Sequence, residues 1–376
     1  MKKIPLSTPT MHGEEMGFIQ EAFDKNWIAP LGFNCENFET EMCDYLTQNS
    51  DDERYALSMT TGTSALHLAI KLAGIKRDDI VFCSDMTFAA TVNPVSYECG
   101  KQVFIDSERE TWNMDPKALE KAFEKYPNAK AVMLVHLYGV PSKLDEIKEI
   151  CDRHNAVLIE DAAESLSATY KGKQTGTFGD YSAISFNGNK IITTSGGGML
   201  ITKTKEARDK AFFWATQSRE KTPWYQHKEL GYNYRMSNVC AGIGRGQLLH
   251  LEEHKAKKVA IYNRYKEGLK GVPVTMNPYL EYTSPNFWLS CLLIDEKSHF
   301  TPMDLNGKLA EVGIETRPIW KPMHMQPYFK DCDFISVEDK PVDFDIFARG
   351  LCLPSDIKMT EEEQDFVIAQ IKKLFE

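Results

Sequence analysis

The chain has 376 residues, which is more than one compact core usually holds, so we expect two domains. Hydrophobic residues make up 42% and charged residues 26%, as in ordinary globular proteins, and the formal net charge of −10 argues against a general nucleic-acid-binding protein. Nine scattered cysteines, without a CxxC pair or a zinc-ligand spacing, indicate reduced thiols and no bound metal.

The chain begins without the apolar run of a signal peptide, and no later segment is apolar over a membrane-spanning length. We therefore expect a cytoplasmic protein that does not insert into membranes. Short apolar runs then alternate with segments in which apolar residues recur at helical spacing. The predicted strands are Tyr55–Met59, Ile80–Cys83, Gln102–Ile105, Ala131–Leu137, Ala156–Ile159 and Tyr181–Phe186, and the predicted helices include Pro116–Tyr126 and Leu144–Asn155. This alternation predicts an α/β fold with a mostly parallel sheet, whose ligands gather at the carboxyl ends of the strands.

The pattern changes after about residue 237. A long helical stretch is followed by strands near Pro273–Met276 and Phe287–Ile294 and by helices near Asp304–Val312 and Glu361–Phe375. Strands and helices without regular alternation predict a smaller α+β domain. We therefore expect a large domain over residues 1–250 and a small one over residues 251–376.

Two of the predicted strand ends carry polar motifs. Gly62-Thr63-Ser64 lies between a strand and a helix, where free N–H groups and two hydroxyls can hold a phosphate, although an ordinary helix cap is the alternative. Glu160-Asp161-Ala162-Ala163-Glu164 follows the apolar run Val157–Ile159, and buried acids are costly without partners. These acids either form a salt bridge or cap, or they hold a cation such as a protonated pyridine nitrogen. A metal ion is the weaker candidate, because no second ligand cluster is evident.

A third strand end carries a lysine. Ser185-Phe186-Asn187-Gly188-Asn189-Lys190 is followed by the glycine-rich turn Gly196-Gly197-Gly198. A single lysine is most often a solvated surface residue, but glycines let backbone approach a ligand closely, and a partly desolvated lysine can form a Schiff base. An electron-sink cofactor requires a lysine, a carboxylate and a phosphate cradle. Lys190, Asp161 and Gly62-Thr63 supply one each.

The order of these motifs resembles the DegT/StrS group of pyridoxal 5′-phosphate (PLP)-dependent sugar-nucleotide aminotransferases. These have the aspartate-aminotransferase fold, also called PLP fold type I. The resemblance covers nearly the whole chain, since further segments match the group: Asn26–Gly32, Thr87–Thr91, Gly231–Ser237, and Arg317 to Pro327. The segment Ser185–Lys190, with the glycines that follow, is similar to the bacillosamine-pathway branch, which acts in polysaccharide synthesis and protein glycosylation.

The resemblance implies the chemical roles of four residues. Lys190 forms the Schiff base and moves the proton between substrate and cofactor. Asp161 pairs with the protonated pyridine nitrogen and so makes the ring a better electron sink. Phe88 stacks on one face of the ring. Glu164 lies near the ring hydroxyl, at a position where the family often has glutamine.

The resemblance also implies the binding residues and the assembly. The cofactor phosphate is held by residues of one subunit: Gly62, Thr63 and Ser185. Asn233 reaches the phosphate of the neighbouring subunit, so a homodimer with shared active sites is implied. The candidates for substrate contact are Asn26, Trp27, Arg235 and His324. For Arg235, a salt bridge at the surface or at an interface is an equal alternative.

The implied reaction transfers the amino group of L-glutamate to C4 of UDP-2-acetamido-2,6-dideoxy-4-keto-glucose. The alternative substrate is another keto-sugar nucleotide such as GDP-4-keto-6-deoxymannose, although that perosamine branch usually has a tyrosine where Asn187 stands. A sister branch of dehydratases has histidine in place of Lys190, so the intact lysine favours transamination. A nucleotide-dependent oxidoreductase is disfavoured because no GxGxxG follows the first strand. A non-catalytic PLP- or sugar-binding regulator is disfavoured because binding alone requires no proton carrier.

Overall fold

The computed structural model describes residues 3–50 and 52–376. Within these residues the chain forms twelve α-helices: α1 (Glu14–Asp24), α2 (Phe33–Thr47), α3 (Gly62–Leu72), α4 (Ala89–Tyr97), α5 (Pro116–Lys125), α6 (Leu144–His154), α7 (Lys205–Ala215), α8 (Asn238–Leu248), α9 (Leu251–Gly268), α10 (Pro302–Glu311), α11 (Val342–Arg349) and α12 (Glu361–Phe375).

The same residues form fifteen strands: β1 (Tyr55–Met59), β2 (Ile80–Ser84), β3 (Lys101–Ile105), β4 (Ala131–Val135), β5 (Val157–Asp161), β6 (Thr169–Tyr170), β7 (Lys173–Gln174), β8 (Tyr181–Ser185), β9 (Gly198–Thr202), β10 (Val274–Met276), β11 (Thr283–Ser284), β12 (Cys291–Ile294), β13 (Arg317–Pro318), β14 (Asp333–Ile335) and β15 (Gly350–Cys352). All six strands predicted over residues 55–186 are present, with ends within two residues of the prediction.

The largest sheet has eight strands in the order β1-β9-β8-β5-β4-β2-β3-β14. The pairs from β8 to β14 are parallel, whereas β9 is antiparallel to both β1 and β8. The expected α/β fold with a mostly parallel sheet is therefore confirmed. The placement of β9 was not predicted, because the run after the glycine-rich turn carries no local signal of its partner.

Both faces of this sheet are buried. Successive residues of a strand point to opposite faces, and the clusters follow that rule: Val81 and Cys83 belong to one core, and Phe82 belongs to the other. Helices cover each face, so the central strands are apolar throughout, as in other parallel sheets. The only places where such a sheet tolerates polar side chains at low cost are its strand ends, where ligands or solvent can satisfy them.

A second sheet has four antiparallel strands in the order β10-β12-β15-β13. Its core is formed with α9, α10 and α12, and includes Tyr265, Leu292, Leu305 and Val367. Strand β14, although it comes late in the chain, pairs in parallel with β3 and extends the large sheet. The division at residue 250 falls between α8 and α9 and stays a prediction.

The structure offers no membrane-crossing element among the helices it describes: none over residues 3–50 and 52–376 combines the necessary length with sufficient apolar character.

Candidate active site

A cavity of about 330 Å³ lies at the carboxyl ends of the parallel strands of the large sheet. Its wall brings together residues from seven separate parts of the chain. Seven residues predicted to bind the cofactor line it: Gly62, Thr63, Phe88, Asp161, Glu164, Ser185 and Lys190. The strand ends pointed to Gly62, Asp161 and Lys190, and the family resemblance added the others; all seven surround one volume, as in ligand sites of open α/β sheets.

Lys190 is largely withdrawn from solvent, with 12% of its side chain exposed. Its Nζ is 3.4 Å from Glu164 Oε1 and 4.1 Å from the centroid of the Trp288 ring. The indole N–H of Trp288 donates to the carbonyl oxygen of Asn189 at 2.7 Å and so fixes the turn that carries the lysine. A lysine held over an aromatic face beside one carboxylate is positioned at a defined point of the cavity.

Asp161 is the last residue of β5 and is 5% exposed. Thr91 donates its hydroxyl to Oδ2 at 2.6 Å, and the amide of Ala163 donates to Oδ1 at 3.0 Å. Thr91 is in turn 2.5 Å from the hydroxyl of Thr87. A carboxylate has about four acceptor positions, so these two donors leave Asp161 with capacity to accept a further N–H from the cavity.

Glu164 faces both Lys190 and Asp161. Burial raises the pKa of Glu164 to about 7, with the negative charge of Asp161 adding to the rise while Lys190 and a backbone donor oppose it. That donor is the amide of Tyr138, which lies 2.7 Å from Oε2. Glu164 therefore changes its protonation state near neutral pH, at 3.4 Å from the lysine amine.

The start of α3 forms the other end of the cavity. Thr61 and Ser64 form a reciprocal capping box, in which Thr61 Oγ1 accepts from the Ser64 amide at 3.0 Å and the Ser64 hydroxyl accepts from the Thr61 amide at 3.1 Å. The amides of Gly62 and Thr63 belong to the first helical turn, whose N–H groups have no partner within the helix. The helix-cap interpretation is correct for Thr61 and Ser64. Gly62 and Thr63 line the cavity, and their binding of a phosphate stays a prediction.

Close backbone approach explains a glycine beside this cradle. A Cβ at Gly198 would lie 2.3 Å from the amide nitrogen of Gly62, so any larger residue would push β9 away from the start of α3. The same packing brings Ser185, at the end of β8, within 3.1 Å of a Cβ built at Gly62. A helix N-terminus with a serine hydroxyl beside it is a suitable phosphate site.

The structure does not bring the other predicted residues to this cavity. Asn233 is exposed and forms an isolated bridge with Thr216. Asn26 is exposed as well, and Trp27 is 51% exposed with its indole N–H donating to the Leu31 carbonyl at 2.6 Å. Their exposure leaves these three side chains free to contact a second molecule.

Arg235 and His324 have partners within the chain. Arg235 is 4% exposed, and its Nη1 donates to Glu39 Oε1 at 2.8 Å and to the Ser58 carbonyl at 2.9 Å. Of its two predicted roles, the structure shows the salt bridge, in the interior instead of at the surface, because the guanidinium offsets the buried charge of Glu39. His324 contacts Asp85 through Nδ1 and lies outside the cavity lining.

Two tryptophans that sequence analysis did not select also line the cavity, Trp288 and Trp320. Trp320 lies 5.5 Å from the Phe88 ring between centroids, and its amide donates to the Tyr138 hydroxyl at 3.1 Å. Trp320 is inside the segment from Arg317 to Pro327, so the family resemblance was a signal for it. Trp288 carries no such signal, because its place beside Lys190 depends on the packing of the second sheet.

The donors around the cavity fit PLP. A lysine amine, an aspartate that accepts a further N–H, and a helix N-terminus for the phosphate occupy one volume. This arrangement on an α/β fold is that of a PLP-dependent enzyme.

Comparisons with known proteins agree with that class. The chain is 48% identical over 380 residues to EpsN of Bacillus subtilis (strain 168), to which a PLP-dependent aminotransferase activity is ascribed, with 100% of this chain and 96% of EpsN covered. It is 33% identical to GDP-perosamine synthase of Escherichia coli O157:H7, with 100% of this chain and 99% of that protein covered. A solved aminotransferase from Brucella abortus matches with a TM-score of 0.88 and 25% identity, over 96% of this chain and 95% of that one.

The model of the DegT/DnrJ/EryC1/StrS aminotransferase family matches residues 9–372, and the chain belongs to this family. The expected PLP fold type I and the PLP dependence are thereby confirmed, and the protein is a PLP-dependent sugar-nucleotide aminotransferase.

Proposed function

We propose that the protein transfers the amino group of L-glutamate to C4 of UDP-2-acetamido-2,6-dideoxy-4-keto-glucose, giving UDP-4-amino-4,6-dideoxy-N-acetylglucosamine. The observation that carries this choice is Asn187, which lines the cavity in the turn that ends at Lys190. Its side-chain amide donates to Asn189 Oδ1 at 3.2 Å and so helps to hold the turn. A tyrosine at this position, as in the perosamine branch, would instead place an aromatic ring at the cavity. The similarity to EpsN over the entire chain supports the PLP-dependent aminotransferase activity on which this assignment rests.

PLP, when bound, supplies the electron sink that stabilises negative charge at the carbon that loses or gains a proton. We assign the proton transfer at that carbon to Nζ of Lys190, whose neighbours Glu164 and Trp288 hold it at one point of the cavity. Asp161, through its free acceptor positions, would accept the pyridine N–H of a bound cofactor and so keep that nitrogen protonated. Gly62, Thr63 and Ser185 would hold the phosphate of the cofactor, and Phe88 would cover its ring. Burial raises the pKa of Glu164 to about 7, so its carboxyl group could hold or release a proton beside the lysine amine, 3.4 Å away, and it would lie near the ring hydroxyl of a bound cofactor.

A second candidate substrate is GDP-4-keto-6-deoxymannose. It is favoured by relatives named GDP-perosamine synthase in Escherichia coli O157:H7 and in Caulobacter vibrioides, at 33% and 34% identity. Their similarity also covers all of this chain. Against this candidate stands Asn187, at the position where the perosamine branch usually has a tyrosine.

Asn233 supports a homodimer with shared active sites. The residue is exposed and lies outside the cavity of its own chain, although it belongs to a segment that resembles the family's active-site motifs. We assign its amide to the cofactor phosphate of the partner subunit, and Asn26 and Trp27 to the sugar nucleotide. Such a C2 interface repeats each contact, so one loop completes two sites. A cytoplasmic location accompanies this proposal, because nine unpaired cysteines suit a reducing compartment.

The substrate is tested with a panel of UDP-, GDP- and TDP-linked 4-keto sugars, each supplied with L-glutamate and read by mass spectrometry. The expected result is amination of the UDP-linked N-acetyl sugar with a kcat/KM at least about tenfold above that of the GDP sugar. Faster turnover of the GDP sugar overturns the first candidate and supports the second. Asn187→Tyr is the matched variant, and it should lower the preference for the UDP sugar.

The shared site is tested by mixing Asn233→Ala with Lys190→Ala protein under subunit exchange. A mixed dimer then has one active site with both lesions and one with neither, so activity should reappear. The amide is expected to contribute about 1.5 to 3 kcal/mol to cofactor retention, as other charge-assisted hydrogen bonds do. Verified exchange without recovery of activity contradicts the shared arrangement.

A further inference from the structure

Imidazole and carboxylate groups cluster where the N-terminal segment crosses the start of α9. His250 immediately precedes α9, and Glu253 and His254 follow in its first turn, so spacings of three and four residues place these side chains on one face. His12, which is 242 residues before His254 in the sequence, contacts this face. One ligand atom each from His12, His250 and Glu253 lies within 4.8 Å of the other two. We call these four residues the histidine cluster.

Hydrogen bonds define the tautomers of two rings in the cluster. His254 Nδ1 is 2.7 Å from the carbonyl oxygen of Ile191. A carbonyl oxygen only accepts, so this nitrogen carries the proton, and Nε2 of the neutral ring carries a lone pair. His12 Nε2 lies 2.7 Å from His254 Nε2 and therefore donates its proton to that lone pair. His12 Nδ1 is consequently the nitrogen with a free lone pair.

This relay is the support that metal-binding histidines usually have. A ligating imidazole is normally oriented by a hydrogen bond from its other nitrogen to a fixed acceptor, which sets the tautomer and strengthens the ligand. In this protein, His254 is the acceptor for His12, and the backbone of Ile191 holds His254 in turn. The relay thus fixes the orientation of the free lone pair of His12, which does not line the active-site cavity.

The third ring has an unused nitrogen. His250 Nε2 is buried without a hydrogen bond among the described residues, and its nearest acid, Glu14 Oε2, is 3.3 Å away. On the other side, His250 Nδ1 is 3.3 Å from Glu253 Oε2. The rings of His12 and His250 stack with centroids 3.6 Å apart and planes 5° from parallel. Two carboxylates, Glu14 and Glu253, thus lie beside the rings, and Glu253 Oε1 is also 2.7 Å from Lys257 Nζ.

We propose that His12, His250 and Glu253 bind a divalent transition-metal ion of the Zn²⁺ class, with His254 as the positioning residue. Imidazole nitrogens and a carboxylate oxygen are ligands that Zn²⁺ prefers, and water completes such a set. The stacked rings tilt away from parallel on binding, because a ring nitrogen binds a metal in the plane of its ring. The ion ties the N-terminal segment to α9 and, through Ile191, to the turn that carries Lys190.

The sequence analysis expected no bound metal, and that expectation rested on spacing along the chain. His250 and His254 are four residues apart at the start of α9, but the third imidazole, that of His12, comes from the N-terminal segment. Only folding brings His12 to the pair. The proposed site is independent of the proposed substrate, since it lies outside the lining of the active-site cavity.

The test uses the untagged holoenzyme after treatment with EDTA, because a polyhistidine tag would itself bind the ion. Isothermal titration with ZnCl₂ should show one saturable site per chain in the parent protein. His12→Ala and Glu253→Gln should each weaken binding by at least about tenfold, and His254→Gln by about ten- to a hundredfold. His299→Ala is the matched control, since His299 is exposed and lies outside the cluster, and it should leave the affinity unchanged.

Glu253 is exposed, so Glu253→Gln keeps the fold and preserves the test if a histidine variant unfolds. Zn²⁺ should also raise the Tm of the parent protein and not that of Glu253→Gln, because an ion that binds only the folded chain stabilises it. A Co²⁺ difference spectrum should show ligand-field bands that disappear in His12→Ala. Equal Zn²⁺ affinity in the parent, His12→Ala and Glu253→Gln proteins, or no saturable site in the parent, overturns the proposal.

Discussion

Two adjacent carboxylates at the end of β5 face opposite sides of the large sheet, because successive strand residues alternate. Glu160 is fully buried, and each of its oxygens accepts two hydrogen bonds, at 2.6 to 2.9 Å. The four donors are His136 Nε2 and the amides of Gly176, Phe178 and Gly179. Asp161, one residue later, accepts only two hydrogen bonds from the residues that the structure describes, and it lines the cavity.

The number of filled acceptor positions separates a structural carboxylate from one that can receive a ligand. Glu160 has all of its acceptor positions occupied by fixed donors, so it can only hold the fold together. Although burial opposes its ionisation, His136 and the backbone amides more than offset that cost and lower the pKa of Glu160. Asp161 and Glu164 retain unused acceptor positions, and both open on the cavity that holds Lys190.

The largest effect on stability should follow Glu160→Gln. The amide keeps the size of the side chain, but its NH₂ group must face N–H donors that already point at that oxygen. We expect a loss of about 3 to 5 kcal/mol in the free energy of unfolding, because two buried N–H donors are left facing an NH₂ group. Urea unfolding at about pH 7 measures it, where the lowered pKa keeps the carboxylate ionised. If Glu160→Gln and Asp161→Asn lose similar free energies of unfolding, Glu160 is no more important for stability than Asp161, and the proposed difference between them is wrong.

Glu164→Gln should change how stability depends on pH. The pKa of Glu164 is about 7 in the folded protein and 4.5 in an unfolded chain, so the folded state holds the proton over this interval. The contribution of Glu164 to the free energy of unfolding is therefore fully present below pH 4.5 and is lost as the pH rises to about 7. Between about pH 5 and pH 8, the cofactor-free parent should lose roughly 2 to 3 kcal/mol relative to Glu164→Gln. A constant difference across this range contradicts the buried position of the acid.

Lys190→Ala removes the proposed proton carrier from the cavity that Asp161 and Glu164 line. The transamination rate should fall by roughly a hundredfold or more, which corresponds to about 2.7 kcal/mol in the activation barrier. The visible absorption of the lysine-bound cofactor should disappear as well. Lys205→Ala is the control, because Lys205 is a surface lysine paired with Asp209, and this variant should keep the parental rate. Near-parental turnover in Lys190→Ala contradicts the assignment.

Asp161→Asn sharpens the contrast with Glu160, since it makes the same chemical change one residue later. One oxygen remains for Thr91 or Ala163, so the stability loss should stay below about 1.5 kcal/mol. Transamination should nevertheless slow by about tenfold or more, because the amide has no charge to keep the pyridine N–H protonated. Steady-state rates and urea unfolding of the same preparation give both numbers. Unchanged rates would make Asp161 a structural residue like its neighbour.

Local sequence determined the strands and the strand-end chemistry. Apolar runs such as Tyr55–Met59 and Val157–Ile159 are encoded by neighbouring residues, and their ends were therefore predicted within two residues. Because parallel strands end at one edge of a sheet, the same reasoning brought Asp161, Lys190 and Gly62 to one cavity. The family resemblance added the roles of these residues, which periodicity alone does not reveal.

Tertiary structure decided everything that depends on partners distant in the sequence. It placed β14 beside β3, it brought Trp288 against Lys190, and it moved Arg235 into an interior salt bridge. It also joined His12 to the start of α9. A residue's own neighbours carry no record of such contacts, since the same local pattern suits a solvated arginine, a surface tryptophan or an isolated histidine. Whether a polar group is satisfied or left available is therefore settled by the packing of distant segments.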